Sequence, residues 1–255
     1  MVAALAVTIA LLSACAPTHP PIAAVSASAK SAAILVAIPP TIRISTHGIT
    51  VFESSVENPD VSDWHLDQVA LDAATRALSP KFQINYGETV TNFANPNSRL
   101  EDGIGGTTPI QIFAREHMTG RSADIVVVIC LDVRAFPYPG QGVDTYQYIG
   151  VSKWLVPIFS YEPLAHSYVY ATILEGGSFK VIAETPLFLP PERASHGLTQ
   201  GPGGRYPQVE LTGFEWSRHW ANWTPDQREL VRAKITELLA ASTYSTLRET
   251  LAVTP

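Results

Sequence analysis

Apolar positions recur along this chain with two different periods, and the switches between them mark its elements. From Ile34 to Ile38 the chain is continuously apolar, and Pro39-Pro40 stops the run. A short apolar run closed by prolines predicts a strand. Ile42, Ile44, Ile49 and Val51 follow with largely alternating polarity around His47-Gly48, which predicts short strands or a hairpin. Pro59-Asp60-Val61-Ser62 then offers a helix N-cap. Leu66, Val69, Ala70, Ala73 and Ala77 keep helical spacing as far as Leu78, and Ser79-Pro80 ends that helix. Phe82, Ile84 and Tyr86 return to the strand period.

Residues 87–107 are rich in Asn, Thr and Gly and predict a long loop. Thr108-Pro109-Ile110-Gln111 has the grammar of a helix start: a capping hydroxyl, a proline at the first position and a glutamine to complete the box. That helix runs to Met118, and a buried strand is expected over 124–131. A Pro/Gly loop follows at 137–142, then β structure from Tyr146 to about Phe159. Ser167 to Ala183 reads as a hairpin turning tightly on Gly176-Gly177. Residues 186–213 are Pro/Gly-rich and predict irregular chain. Thr224-Pro225-Asp226-Gln227 repeats the helix-start grammar, and Leu230, Val231, Ile235, Leu238 and Leu239 form the apolar face behind it. A separate last helix is expected over Thr243–Leu251. The predicted order is βββ-α-β-α-β-β-β-β-α-α. It implies an α+β (or α/β) fold, with a mixed, largely antiparallel sheet flanked by helices, in a single domain over 32–255.

The amino terminus carries the most specific signal. Val2 to Leu12 is uncharged and mostly apolar, and it closes on Leu12-Ser13-Ala14-Cys15. Eleven helical residues span only ~16 Å against a ~30 Å bilayer core, so this run is too short to cross a membrane. It fits the h-region of a signal peptide, although no Lys or Arg precedes Cys15. The closing residues resemble the lipobox of bacterial lipoproteins. That resemblance implies a signal peptide over 1–14, with Cys15 as the lipid attachment site and mature N-terminus. Residues 15–31, mostly Ala, Ser, Pro and Thr, would then form a flexible tether. Several acyl chains hold a protein on a membrane where one chain would not. Ala16 follows the cysteine in place of the Asp that retains lipoproteins at the inner membrane, so the resemblance implies the outer membrane, periplasmic face. The lipid at Cys15 is the only covalent group implied, and no cofactor is expected.

The element order over residues 33–185 also resembles the TolB N-terminal-like domain of periplasmic accessory lipoproteins. It shares the early strand, helix, strand, helix, an apolar strand after Ala123-Asp124, a hairpin and a closing helix. Such domains bind partners and do no chemistry, so the resemblance implies an accessory module for an envelope protein or a glycan.

Composition narrows the rest. Hydrophobic residues make up 46% and charged residues 16%, which favours a packed globule over a disordered chain. The net charge is −6 with no basic run, so the electrostatic footprint of a nucleic-acid binder is missing. Cys130 sits inside an apolar strand, where a thiol packs as a small hydrophobe.

Catalytic signatures are absent from the sequence: there is no Gly-x-Ser-x-Gly, Ser-x-x-Lys, His-Glu-x-x-His or Cys-x-x-Cys. Asp63, His65 and Asp67 alternate, but at helical spacing they do not converge on a metal. Gly103 to Thr108 precedes a helix, as an anion-binding loop would, yet it lacks a phosphate-binding lysine. Aromatic clusters carry more weight. Trp216, Arg218 and Trp220 in one segment, and Tyr138, Tyr146 and Tyr148 in another, have the composition of interface anchors and sugar platforms. Packing of the last helix accounts for the tryptophans equally well. The chain is thus expected to be a non-catalytic binding module. The alternative is an envelope hydrolase whose carboxylates, such as Glu101, Asp102 or Asp132, are brought together by the fold.

Overall fold

Ser31–Ala37 forms the first strand, β1, and every residue of it from Ala32 onward is buried. The computed structural model describes residues 26–48, 53–90, 108–131, 149–156, 159–160, 162–190 and 207–253. Strand β5 (Ile125–Cys130) is likewise buried throughout, and it lies parallel beside β1. β4 (Gln83–Thr89) is parallel to β1 on the other side. β9 (Tyr170–Glu175) and β10 (Val181–Pro186) extend the sheet antiparallel, giving the order β10-β9-β5-β1-β4. Doubly covered central strands read as unbroken apolar runs, which is why β1 and β5 show no alternation.

A second sheet has the order β11-β8-β6-β2-β3, built from β11 (Gln208–Glu210), β8 (Leu164–Ser167), β6 (Ile149–Val156), β2 (Arg43–His47) and β3 (Ser55–Glu57). The two-residue β7 (Phe159–Ser160) pairs with β6. The fold is α+β with antiparallel pairings in the majority, but the strands divide between two mixed sheets where the sequence suggested one. The chain changes sheets at Pro39-Pro40, where prolines cannot continue a ladder, and again at Tyr168-Val169 between β8 and β9.

Three of the described helices pack on the sheets. α1 (Leu66–Leu78) and α3 (Pro225–Thr250) pack against each other. They share one core with Ile34, Val36, Val127 and Ile129 of the first sheet and Ile44, Val151 and Ala165 of the second. α2 (Pro109–His117) covers the opposite face of the first sheet with Ile110, Phe113 and Ala114, over Leu35, Val126 and Cys130. The expected capping boxes are present. Gln111 Oε1 accepts from the Thr108 N–H at 2.6 Å, Gln227 Oε1 from the Thr224 N–H at 2.9 Å, and the Gln227 N–H donates to Thr224 Oγ1 at 3.2 Å.

Four local expectations are corrected. α3 is one helix of 26 residues, with no break near residue 240. Ser242, Thr243, Ser245 and Thr246, at the expected boundary between two helices, are buried. Ser242 Oγ donates back to Leu239 O, and Thr246 Oγ1 both accepts from the Phe188 N–H and donates to Phe188 O. The α1 region does not begin as α-helix at Ser62. A short 3-10 turn, Ser62–Trp64, precedes it, and His65 between them is left-handed at φ 49°. The hairpin starts at Tyr170, since Ser167 belongs to the second sheet, and five residues, Gly176 to Lys180, separate its strands. The Phe179 N–H donates to Glu175 O at 2.8 Å and the Glu175 N–H to Lys180 O at 2.9 Å, with Phe179 left-handed at φ 57°. Gly176 serves a close approach: an added Cβ would lie 1.7 Å from Ala123 O. Finally, β11 lies inside the stretch expected to be irregular.

Residues 26–31, within the stretch read as a tether, contact the body. Ser26 Oγ donates to Leu251 O at 2.7 Å, and Asp124 Oδ2 accepts the N–H groups of Lys30 and Ser31 at 2.7 and 2.9 Å.

Candidate binding cleft

The two sheets meet at a cleft of about 420 Å³ lined by Pro39, Thr41, Ile42, Arg43, Asn58, Leu131 and Ile149. That size lies within the ~300–1,000 Å³ range of small-molecule sites. Its position follows from topology. Pro39 and Leu131 follow the carboxyl ends of the parallel strands β1 and β5, the side of an open sheet on which ligands settle. Arg43 and Ile149 open the parallel strands β2 and β6. One wall is braced by backbone pairing, with the Ile42 N–H donating to Pro59 O at 3.3 Å and the Val61 N–H to Pro40 O at 2.8 Å. A smaller recess of about 130 Å³ adjoins through Pro39 and reaches His65 and Asp67.

The lining is amphipathic. Ile42, Leu131 and Ile149 are buried hydrophobes, whereas Thr41 and Arg43 are half-buried and Asn58 is exposed. Among the described lining residues Arg43 is the only ionised one.

Arg43 also begins a polar face. Side chains alternate along a strand, so Ile44, Val151 and Ala165 turn to the core while Arg43, Ser45, His47, Ser152, Trp154 and His166 share the other side. On this face Ser45, Ser152 and His166 are buried. The His47 ring stacks on Trp154 with centroids 4.5 Å apart, and its Nε2 lies 3.1 Å from Ser45 Oγ. Burial, and then the Arg43 charge, pulls the His47 pKa down to about 4, so this imidazole is neutral at neutral pH. A serine beside a neutral imidazole has the parts of a nucleophile and base. Ser45 is only 1% exposed, however, so the contact serves to satisfy a buried hydroxyl. Across the sheet, His166 stacks on Tyr168 at 5.1 Å, and the Tyr168 hydroxyl donates to Gln208 Oε1 at 2.6 Å.

The sequence-derived candidates fall elsewhere. Trp216, Arg218 and Trp220 lie between β11 and α3. The Trp220 ring is 5.9 Å from Trp64 and 5.1 Å from buried Trp223, and Trp216 is 5.8 Å from Trp223. The Arg228 guanidinium stands 4.7 Å over Trp220 and donates to its carbonyl oxygen. This cluster clamps the start of α3 onto the approach to α1. Trp216, Arg218 and Trp220 are half-buried, so each retains some outer surface. Cys15, Glu101, Asp102, Asp132, Tyr138, Tyr146 and Tyr148, and the Gly103–Thr107 stretch, lie outside the described residues. Asp63, His65 and Asp67 are divided between the 3-10 turn, the left-handed residue and the first turn of α1. Among the described residues no group of three or more His, Cys, Asp or Glu could hold a metal ion.

Sequence reasoning missed the cleft. The signal was present in Arg43, a cation in an otherwise uncharged alternating run directly after Pro39-Pro40, but nothing in the spacing shows that β5 and β6 reach the same place.

No protein-family model matches the chain, and no curated protein matches it. Among solved structures it is similar to protein XCC0632 from Xanthomonas campestris, described under the family model DUF330. The identity is 13% and the TM-score 0.37, over 93% of this chain and 89% of that one. Likeness at that level supplies no functional argument.

Proposed function

We propose that this chain is an outer-membrane lipoprotein, held at the periplasmic face through lipid on Cys15. In this reading it acts as a non-catalytic binding module for a component of the envelope. The observation that carries the binding role is the amphipathic cleft between the sheets, with Arg43 at its polar side and Ile42, Leu131 and Ile149 beneath. The Leu12-Ser13-Ala14-Cys15 pattern supports the anchor. No described helix is long and apolar enough to cross a membrane, so attachment in this reading rests on the lipid. Trp216, Arg218 and Trp220 are a second surface through which an envelope protein or glycan could be held.

The test is fractionation of the native protein beside a Cys15→Ala variant, with mass spectrometry of the N-terminal peptide. The native chain is expected in the outer-membrane fraction with an acylated Cys15, and the variant in the soluble or unprocessed fraction. An unmodified Cys15, or unchanged membrane recovery of the variant, would remove the anchor from the account.

A further inference from the structure

We infer that the end of the first sheet at which β1, β4 and β5 begin rests on anionic lipid headgroups, so that the cleft at the opposite end faces away from the membrane. This depends on the reading of Cys15 as the lipid anchor and adds the orientation of the module on that lipid.

The entry of the chain decides which end lies nearer the anchor. Ser26 is eleven residues after Cys15, a length that spans at most ~40 Å when fully extended. Its hydroxyl donates to Leu251 O at 2.7 Å and accepts from Lys81 Nζ at 2.6 Å, while Lys81 Nζ also donates to Leu251 O at 2.8 Å. Lys81 stands just ahead of β4, and Leu251 closes α3. The chain is therefore pinned at the amino end of the sheet before it enters β1. The cleft begins beyond the other end of β1, on the order of 20 Å further along the strand.

Charge complementarity names the surface. Lys30, Lys81 and Lys180 stand at the starts of β1, β4 and β10, which all begin at this end. Arg76, Arg115 and Arg248 occupy the last turns of α1, α2 and α3, which run down to it. Helix dipoles favour cations at those positions and account for the arginines. Sheets have little net dipole, so the three lysines answer no such local need. Lys30, Arg76, Arg115 and Lys180 are exposed, and Lys81 and Arg248 are half-buried. Glu116, Asp124, Glu175 and Glu249 share this end, so bases outnumber acids here on a protein whose net charge is −6. The connections that form this end, 79–82, 118–124, 176–180 and 251–253, all lie within the described residues. A basic side chain held within a Debye length of an anionic membrane contributes about 5-fold in affinity.

The experiment is a lysine footprint of the anchored protein. The mature chain, beginning at Cys15, is coupled through that thiol to maleimide lipid in phosphatidylcholine vesicles with or without phosphatidylglycerol. Cys130, 1% exposed, stays uncoupled. Lysines are acylated by a water-soluble reagent and read by mass spectrometry. Lys234, about 24 Å from the end of α3, is the internal reference. With phosphatidylglycerol present, Lys30 and Lys180 are expected to react about 5-fold more slowly than on phosphatidylcholine alone, while Lys234 is unchanged. High salt should restore both rates. Arg76→Glu reverses an exposed charge and should leave the fold intact while deprotecting Lys180. Equal rates for Lys30 and Lys180 on the two vesicles, protection of Lys234 alongside them, or protection indifferent to salt overturns the assignment. Because the lipid is attached chemically, the footprint is independent of acylation in cells. Unprotected lysines remove the orientation alone, whereas an unmodified native Cys15 removes the anchor.

Discussion

Glu57 and Trp220 are 163 residues apart and meet directly. Glu57 Oε2 accepts the Trp220 backbone N–H at 2.8 Å, and Oε1 stands 2.6 Å from His219 Nδ1. One edge-strand carboxylate therefore caps the 3-10 turn Trp220–Asn222 that leads into α3. The Trp220 N–H, then the His219 contact, holds the Glu57 pKa below its ordinary value. The stabilisation is present above the unfolded carboxyl value and is lost as pH falls through the lower folded one. Glu57→Gln is expected to cost about 1 kcal/mol at pH 7, with the gap to the native chain closing in acid. Urea unfolding at a series of pH values checks this, and a pH-independent gap would show that the charge contributes nothing.

His47 gives the other pH dependence. Its folded pKa of about 4 lies below the ordinary 6.5, so between those values the unfolded chain binds the extra proton. Stability is expected in full above pH 6.5 and to decline as pH falls toward 4. The loss is roughly 1–2 kcal/mol, discounted because part of the ring faces water. Nuclear magnetic resonance titration should place the His47 midpoint near 4, and His47→Gln should flatten stability in that window. A midpoint at the ordinary value would show that neither burial nor Arg43 acts on the ring.

Trp220→Ala separates packing from recognition. The ring sits between Trp64 and Trp223 under Arg228, so the variant is expected to lose about 1–3 kcal/mol of stability. Thermal unfolding reads this directly. A variant as stable as the native chain would show that Trp220 is a surface anchor after all.

Gly176→Ala is expected to be severe. The added methyl would lie 1.7 Å from Ala123 O, backbone against backbone, and the Gly176 N–H to Asp124 O bond at 2.9 Å is part of the same contact. A loss of about 2–4 kcal/mol should appear as a lowered denaturant midpoint. Gly177, with nothing within 4 Å of an added Cβ, is the control and should tolerate alanine.

Much of the fold was legible because local grammar and tertiary need agree. The unbroken runs at Ile34 and Ile125 became the centre of the first sheet, and both Thr-Pro-x-Gln starts became capped helices. The division into two sheets was not legible, because Pro39-Pro40 and Tyr168-Val169 show where strands stop and not which sheet they rejoin. The break expected before Thr243 is missing for a different reason: the hydroxyls of Ser242 and Thr246 are tied to the helix and to Phe188 by the packed fold. The burial of the polar side of β2 was not legible either, since alternation shows that two faces differ and cannot show that both are covered. The cleft depends on Arg43, Asn58, Leu131 and Ile149 arriving from four elements, a juxtaposition that no local pattern encodes.

The proposed role is that of an anchored module engaging the envelope through the cleft. A photo-crosslinking side chain placed at exposed Asn58, compared with one at Tyr244 on α3, tests it most directly in intact cells. A discrete envelope adduct is expected from position 58, lost with Cys15→Ala, with none from position 244. Equal labelling from both positions, or an adduct indifferent to Cys15, would contradict it.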